Sequence, residues 1–265
     1  MKNILVPIGT SPNAHETLQY AVDFAAEFSS KIYVMEVFSA KVGAGDLTNV
    51  SKKVEESSKK RLQELIGMVD SKNIEMKITT YNGDLIDGLK ELDKKLGIDL
   101  IIIASRCNTI QEELYLGPTS GRIIKRTDIP TLVVPRSTKF TPINVILTAF
   151  KSGILKQRRI LEPLNEIKKK FNSTVNLLLV KTPGYSDEDL KINTALMNIC
   201  SHLSVTEHAT TYLGALEQLQ TSKPDLLCVF RRKRGFFKKL WEKNTILKSE
   251  FSARIPVLVL SVKKD

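Results

Sequence analysis

The chain has 265 residues, 42% hydrophobic and 26% charged, a balance that is typical of one large or two small globular domains and excludes disordered and fibrous proteins. No apolar run reaches the roughly 20 residues of a transmembrane helix, and the first apolar stretch is too short for a signal peptide. The net charge is +11, and most of it belongs to the second half of the chain. Residues 1–140 hold 19 Lys and Arg against 18 Asp and Glu, whereas residues 141–265 hold 21 basic residues against 11 acidic ones. This excess of positive charge in the second half suits an anionic partner, but solubility alone also explains it.

Short β-branched runs alternate with helical patterns through the first half of the chain. Residues 4–8 form a continuous apolar run, which is typical of a strand buried on both faces. Ser11 and Pro12 then offer an N-cap and a first helical position for a helix over about 12–29. The same alternation predicts strands at 31–37, 76–80, 100–104 and 131–134 and helices at about 47–69, 84–96 and 117–126. This order predicts an α/β fold with a doubly wound, five-stranded parallel sheet.

Two segments of the first half recur in the second half at one common offset. Residues 99–104 resemble 225–230, and residues 129–134 resemble 255–260, each 126 residues later. The opening residues 3–7 match 144–148 more loosely at an offset of 141, so the second copy lacks about 15 residues. We therefore predict two homologous domains. They span residues 1–138 and 142–265, with a linker near 136–142 and second-copy strands near 143–148, 174–180, 204–211, 225–230 and 256–261.

A ligand site is expected beyond the carboxyl ends of the strands, where the strand order of an open parallel sheet reverses. If the first strand lies beside the fourth, the loop of residues 9–11 and the loop of residues 105–118 form that crevice. The helix that starts near Gly117 would offer free backbone N–H groups to a phosphate.

Three features of the first copy resemble the universal stress protein family. They are the opening Lys2-Asn3-Ile4-Leu5-Val6-Pro7, the Ser11-Pro12 helix start, and the ending that runs from the fourth strand through Gly117 to Ile-Pro-Thr-Leu-Val-Val-Pro. Two such units resemble the tandem form of the family. The resemblance implies an adenine nucleotide alpha hydrolase-like fold, and many members bind ATP in this crevice. It also implies that the two copies pair through their last strands as a family homodimer does, which would satisfy two exposed edges.

The chain departs from the family's nucleotide motif, which is Gly-x-x-Gly, nine residues, then Gly-Ser/Thr. Ala104 and Cys107 stand at the first two glycine positions, Gly117 at the third and Pro118 at the Ser/Thr position. Side chains at the glycine positions narrow the approach of a phosphate, and proline removes a backbone N–H together with the hydroxyl. Thr119 and Ser120 offer replacement hydroxyls one and two positions later.

Two further departures weaken the nucleotide site. The family has an aspartate after the first strand that contacts the nucleotide, and this chain has Gly9 there. The second copy has no glycine at the matching positions, which hold Phe230, Lys233, Lys243 and Asn244. We therefore expect a degenerate nucleotide site, with ATP possible as a cofactor in the first domain only. The candidate nucleotide-binding residues that the resemblance implies, together with the two loops of the crevice, are Gly9, Thr10, Ser11, Val37, Ala104, Cys107, Gly117, Thr119 and Ser120.

Residues 231–243 combine seven basic residues with Phe236, Phe237 and Trp241. One interpretation is that the basic side chains bind a nucleotide, a nucleic acid or an anionic membrane electrostatically, while the aromatic side chains stack on bases or insert into the membrane. The other, which we favour, is a solvated loop whose aromatic side chains pack on the first copy or on a second chain. The candidate anion-binding residues are Arg231, Arg232, Lys233, Arg234, Lys238 and Lys239.

The remaining candidates indicate no catalytic machinery. His15 lies on the first helix near the crevice and is expected to be a partly exposed surface residue, and the spacing of His202 and His208 fits no metal motif. Cys107 is either a redox-sensitive thiol or a small loop residue. The three cysteines (Cys107, Cys200 and Cys228) are too far apart to predict zinc binding or a disulfide framework, so a reducing cytoplasm is expected.

These observations favour a cytoplasmic, non-catalytic stress-response protein that acts as a ligand sensor or interaction module. A second hypothesis is an ATP-binding switch with slow hydrolysis in the first domain. A third is a binder of anionic surfaces through the basic loop. A homodimer is a further possibility for the assembly, beside the pairing of the two copies within one chain.

Overall fold

A computed structural model describes residues 1–9, 11, 13–39, 47–105, 117–155, 157–231 and 255–261, in which a helix separates most pairs of successive strands. The first half contains β1 (Asn3–Ile8), α1 (Ala14–Phe28), β2 (Lys31–Phe38), α2 (Leu47–Gly67), β3 (Met76–Asn82), α3 (Leu85–Leu96), β4 (Leu100–Ala104), α4 (Gly117–Arg126) and β5 (Thr131–Val134). The second contains β6 (Val145–Phe150), α5 (Glu162–Phe171), β7 (Thr174–Lys181), α6 (Thr194–Ile199), β8 (His202–Glu207), α7 (Thr211–Ser222), β9 (Leu226–Arg231) and β10 (Val257–Ser261). Of the helices described, none has the length and hydropathy of a membrane span.

The described strands form one ten-stranded sheet in the order β3-β2-β1-β4-β5-β10-β9-β6-β7-β8. Neighbouring strands run parallel except for β5 and β10, which are antiparallel, with Val133 opposite Val257 and Leu132 opposite Leu258. Each half therefore has five parallel strands in the same order, which confirms the predicted doubly wound α/β fold. The two sheets are continuous, because hydrogen bonds join them along β5 and β10.

Apolar side chains on both faces of the central strands form the core. Ile4, Leu5 and Val6 of β1 are fully buried, since helices cover both faces of the sheet. On one face, α1 buries residues such as Leu18 against a cluster that continues into the second half. On the other face, α3 and α4 contribute a second cluster, in which Ile123 of α4 is buried.

Matching hydrogen bonds show which residues of the two halves are equivalent. One carboxylate oxygen of Asp99 accepts from the backbone N–H groups of Lys2 and Asn3. Asp225 accepts in the same way from Asn144 and Val145. Each aspartate thus holds the start of the first strand of its own half beside the fourth strand.

The first strands of the two halves are offset by 142 residues rather than the predicted 141. Ile4 pairs with Leu100, and Ile146 pairs with Leu226, so Ile4 and Ile146 are equivalent. The predicted alignment matched Asn3 to Asn144 because both are asparagines, but the carboxylate contacts show that Asn144 occupies the place of Lys2. This one-residue difference exchanges the faces to which the side chains of the strand point.

The second half is shorter because its crossover from β7 to β8 is short. In the first half this crossover contains the 21-residue helix α2, whereas in the second it contains the 6-residue helix α6 and a short 3₁₀ helix at Asp187–Leu190. As a result the edge strand β8 is poorly covered, and Leu203 and Val205 are 42% and 48% exposed.

Several predicted boundaries differ from the structure by one or more residues, and three of them concern the starts of elements. The strand predicted at 204–211 is β8 at residues 202–207, because the Thr210 hydroxyl accepts from the backbone N–H of Leu213 and caps α7. The strand predicted near 143–148 is β6 at 145–150. Helix α1 begins at Ala14 with Asn13 as its N-cap, since Ser11 closes a turn by accepting from the N–H of Ala14 with its carbonyl oxygen.

Aromatic side chains join the two halves on one face of the sheet. Phe140, in the segment between β5 and β6, contacts Tyr20 and Phe24 of α1 at ring-centroid distances of 5.6 and 5.8 Å and Phe171 of α5 at 6.0 Å. Phe28 of α1 reaches Phe171 at 5.8 Å. We call these five residues the aromatic cluster. Edge-to-face pairs of this kind stabilise a contact beyond the area that they bury.

We expect Phe140→Ala to lower the free energy of unfolding by about 2–3 kcal/mol, somewhat less than the loss for a fully buried phenylalanine, because Phe140 is only partly buried. Urea unfolding followed by circular dichroism measures the change. Met68→Ala is the control: this side chain is 71% exposed, and we expect a change within about 0.5 kcal/mol. Equal effects of the two substitutions would contradict the role of the aromatic cluster.

Candidate functional site

A cleft of about 250 Å³ opens at the carboxyl ends of β1 and β4. Helix α1, which follows β1, packs on one face of the sheet, and α4, which follows β4, packs on the opposite face. The space between the carboxyl ends of β1 and β4 is therefore not covered by either helix. The cleft is lined by Pro7, Ile8, Gly9, Ser11, Ala14, Thr17, Met35, Val37, Leu85, Ile103, Ala104, Ser105, Thr119, Ser120, Ile123 and Arg136.

Six of the nine candidate nucleotide-binding residues line this cleft. Thr10 and Cys107 lie outside the described residues, and Gly117 begins α4. Gly9 needs no special backbone conformation, and a Cβ atom added to it would meet no atom within 4 Å, so the cleft is open where the family has an aspartate. The six lining candidates are Gly9, Ser11, Val37, Ala104, Thr119 and Ser120.

Two serines at the base of the cleft have different hydrogen bonds. Ser120 is buried, and its hydroxyl donates to the carbonyl oxygen of Ala104 at 3.0 Å, so this hydroxyl holds α4 against β4 rather than standing free for a phosphate. Ser105 is only 3% exposed, and its backbone N–H donates to the Val134 carbonyl at 2.9 Å. Among the described residues, the Ser105 hydroxyl has no hydrogen-bond partner.

Arg136 is the one charged side chain among the described residues that line the cleft. It directly follows Pro135 after β5, and no described carboxylate lies within ion-pair distance of its guanidinium. Arg136 lies in the predicted linker and is not among the predicted site residues. Because β5 runs parallel to β4, a residue just beyond the end of β5 lies at the same edge of the sheet as the residues after β4, and that rule was sufficient to find it.

Comparison with known proteins agrees with this architecture. The family model described as the universal stress protein family matches residues 1–135, half of the chain. The chain belongs to the universal stress protein family. Over its whole length it is similar to a universal stress protein from Archaeoglobus fulgidus DSM 4304, with 17% identity, 98% of each chain covered and a TM-score of 0.71.

A second solved structure shares the two-half fold. It is a protein of unknown function from Pseudomonas aeruginosa PAO1, which is 13% identical, with 98% of this chain and 92% of that chain covered and a TM-score of 0.58. No curated protein gives a significant match. At these identities the solved structures show the fold alone.

The second half of this universal stress protein has phenylalanines where the first half has its cleft. Phe150 and Phe230, at the carboxyl ends of β6 and β9, are 3% and 4% exposed, and their ring centroids lie 6.2 Å apart. The loop after β6 is also held down, because the carbonyl oxygen of Gly153 accepts from the backbone N–H of Asn193 at 2.9 Å. Of the family motif positions in this half, Lys233, Lys243 and Asn244 lie outside the described residues.

Arg231, the first residue of the predicted anion-binding loop, connects the two halves. Its guanidinium donates to the Lys125 carbonyl at 2.7 Å, to the Asp128 carboxylate at 2.5 Å and to the Ser261 hydroxyl at 3.1 Å. Arg231 therefore makes at least three of its hydrogen bonds within the chain, and binding of an external anion by this residue stays a prediction. The other candidates, Arg232, Lys233, Arg234, Lys238 and Lys239, lie outside the described residues.

The predicted histidines do not gather at the cleft. His15 is exposed, as predicted, and lines a separate cavity of about 300 Å³ beside Lys139 rather than the cleft itself. His208 follows β8 and lies 2.9 Å from the Glu217 carboxylate of α7, and His202 begins β8 on the surface. The described residues contain no group of three or more ligands that could hold a metal ion.

The buried cysteine has the properties of a core residue. Cys228 on β9 is fully buried, and burial raises the pKa of its thiol to about 12, so it stays protonated at neutral pH. Cys107, the thiol that the sequence analysis considered for redox chemistry, lies outside the described residues. Lys168, Lys169 and Lys170 occupy the last turn of α5, where cations complement the helix dipole, and Lys168 also donates to the Ile199 carbonyl at 3.0 Å.

We expect Arg231→Ala and Arg231→Lys to lower the free energy of unfolding by similar amounts, about 1–2 kcal/mol, because lysine cannot reproduce three guanidinium contacts. The loss is small because Asp128 is half exposed, and water screens its ion pair with Arg231. Urea unfolding measures both variants, and Arg126→Ala, which removes an exposed arginine of α4, is the control. Unchanged stability in Arg231→Ala would show that these contacts do not join the halves.

Proposed function

We propose that this universal stress protein is a non-catalytic ligand sensor or interaction module whose nucleotide site is degenerate, and that the first-half cleft receives the ligand. One observation carries the proposal: no Asp, Glu, His or Lys is among the described residues that line the cleft. Phosphoryl transfer needs a metal-binding carboxylate and a group that orients or deprotonates the nucleophile. The described lining supplies neither.

The shape of the cleft supports the same proposal. Apolar side chains such as Met35, Val37 and Ile103 dominate its lining, as in sites that bind small molecules. The side chain of Ala104 stands where a glycine of the family lets backbone approach a phosphate. The hydroxyl of Ser120, two positions after the family's Ser/Thr position, is bonded to the Ala104 carbonyl. A triphosphate would therefore find few of the donors that the family motif provides.

The paired strands β5 and β10 support a second part of the proposal, in which the two halves take the place of a homodimer of single-domain family members. Each of these strands has a neighbour on both sides, so neither leaves an open edge for another chain. A cytoplasmic role in the stress response is the third part, supported by family membership.

Isothermal titration of the protein with ATP and magnesium tests the degenerate site. We expect no saturable heat below about 1 mM ATP, because one arginine cannot balance a triphosphate, and no phosphate release above the protein-free rate. A stoichiometric titration with micromolar affinity would instead favour the alternative function, an ATP-binding switch in the first half.

Size-exclusion chromatography with light scattering tests the pairing of the halves. We expect a monomer of 29.7 kDa at every protein concentration across a roughly hundredfold range, because a self-associating chain would change its apparent mass with concentration. A stable dimer at the lowest concentration would contradict the view that the intramolecular pair replaces self-association.

A further inference from the structure

The charges and hydrogen bonds of the first-half cleft point to a particular class of ligand. We propose that the cleft binds a small molecule with an apolar body and one anionic head, and that Arg136 and the hydroxyl of Ser105 bind the head. This inference rests on the proposed function, since it names the ligand of the same site.

Arg136 supplies the charge for such a head. It is the single cation among the described lining residues, and those residues include no anion to neutralise it. The guanidinium has no described ion-pair partner, so its donors are available. A planar guanidinium binds a carboxylate or a related anion through two parallel hydrogen bonds, which makes arginine better suited to this task than lysine.

Ser105 is an independent sign that a ligand group belongs in the cleft. The Ser105 hydroxyl is not one of the completely buried side-chain oxygen atoms of the described residues that lack a hydrogen-bond partner, so it is in contact with the open space of the cleft. Ser105 is 97% buried, lines the cleft and has no partner for its hydroxyl among the described residues. Its backbone N–H is already bonded to Val134, so the hydroxyl is the group left to meet a ligand.

The start of α1 favours negative charge at the same place. Ser11, Ala14 and Thr17 line the cleft, so the first turn of this 15-residue helix borders it. The side chain of the N-cap residue, Asn13, donates to the Glu16 carboxylate but accepts no hydrogen bond from a backbone N–H of the first turn. The unsatisfied N–H groups of a helix start attract anions. A cation, a hydroxyl that faces the cleft and a helix start thus border one cavity.

The rest of the lining selects an apolar body. Ile8, Met35, Val37, Leu85, Ile103 and Ile123 border the cleft and offer no charge. Its volume of about 250 Å³ lies just below the range of roughly 300–1,000 Å³ that is usual for sites of drug-sized ligands. A compact hydrocarbon or aromatic body therefore fits, and a long polar one does not.

Two fluorescent dyes test the proposal on the full-length protein. 8-Anilinonaphthalene-1-sulfonate has an aromatic body with one sulfonate, and N-phenyl-1-naphthylamine has the same body without the charge. We expect Arg136→Ala to weaken the sulfonate dye about tenfold and to leave the neutral dye unchanged, because a hydrogen-bonded ion pair is lost. Ser105→Ala should weaken the sulfonate dye several-fold. Lys139→Ala removes an exposed cation three residues further on, outside the cleft, and should change neither affinity.

A pair of substitutions at Gly9 tests the same proposal by adding a negative charge to the cleft. The space beside Gly9 is open, so both Gly9→Asp and Gly9→Asn should fold, which thermal melting checks. We expect Gly9→Asp to weaken binding of the sulfonate dye but not of the neutral dye, because the new carboxylate pairs with Arg136 or repels the sulfonate. Gly9→Asn, which has a side chain of the same shape without the charge, should keep the affinity for the sulfonate dye.

Several results would overturn the inference. They are failure of the sulfonate dye to bind the wild-type protein, equal losses for the two dyes in Arg136→Ala, and equal effects of Arg136→Ala and Lys139→Ala. The proposed function is judged by the separate ATP titration. Tight ATP binding would contradict the proposed function. If ATP does not bind and the two dyes respond equally to Arg136→Ala, only the proposed ligand class is contradicted.

Discussion

The antiparallel pairing of β5 with β10 is the interaction on which the rest of the structure depends. Both strands are buried, and each completes the hydrogen bonding of its own five-stranded half only by pairing with the other. Without this pair, two apolar edges would face water together with the aromatic cluster around Phe140. Arg231 adds a polar contact at the same junction, since it reaches both the carbonyl of Lys125 and the carboxylate of Asp128.

An antiparallel junction between two parallel halves also determines where ligands can bind. The carboxyl ends of β1 to β5 lie at one edge of the sheet, and those of β6 to β10 lie at the opposite edge. The two crevices of the fold therefore open far from each other and can change independently. In the first half the crevice is open, whereas in the second the rings of Phe150 and Phe230 occupy the matching strand ends.

Most of the fold could be predicted from the sequence because it depends on local patterns. The buried strands read as continuous apolar runs, and the common offset of 126 residues identifies β4 with β9 and β5 with β10. The start of β6 was misaligned by one residue because an asparagine match between residues 3 and 144 outweighed the pattern. The true equivalence depends on a contact between Asp225 and a backbone 80 residues away, which no local pattern shows.

The site was less predictable, because its residues meet only through the topology of the sheet. Six of the nine candidates line the cleft, and two of them, Gly9 and Ala104, stand at positions that the family uses for the nucleotide, since family knowledge already contains information about which loops meet. Arg136 and Ser105 belong to no motif, and whether they matter depends on which partners their side chains lack. The charge run beginning at Arg231 indicated anion binding, yet a guanidinium at the end of a buried strand finds acceptors within the protein before it meets solvent.

The number of charges in the cleft distinguishes a monoanion from a nucleotide triphosphate. A triphosphate carries roughly four negative charges, and each one removed from water without a partner costs several kcal/mol. Magnesium ions and a glycine-rich loop share that cost in nucleotide-binding proteins, but the described lining offers no carboxylate for a metal and has Ala104 in place of a glycine. Arg136 can balance one negative charge, and the Ser105 hydroxyl and the start of α1 can accommodate its oxygen atoms. An apolar ligand with a single anionic group therefore leaves no charge unpaired, which is the condition that a mostly apolar cleft imposes.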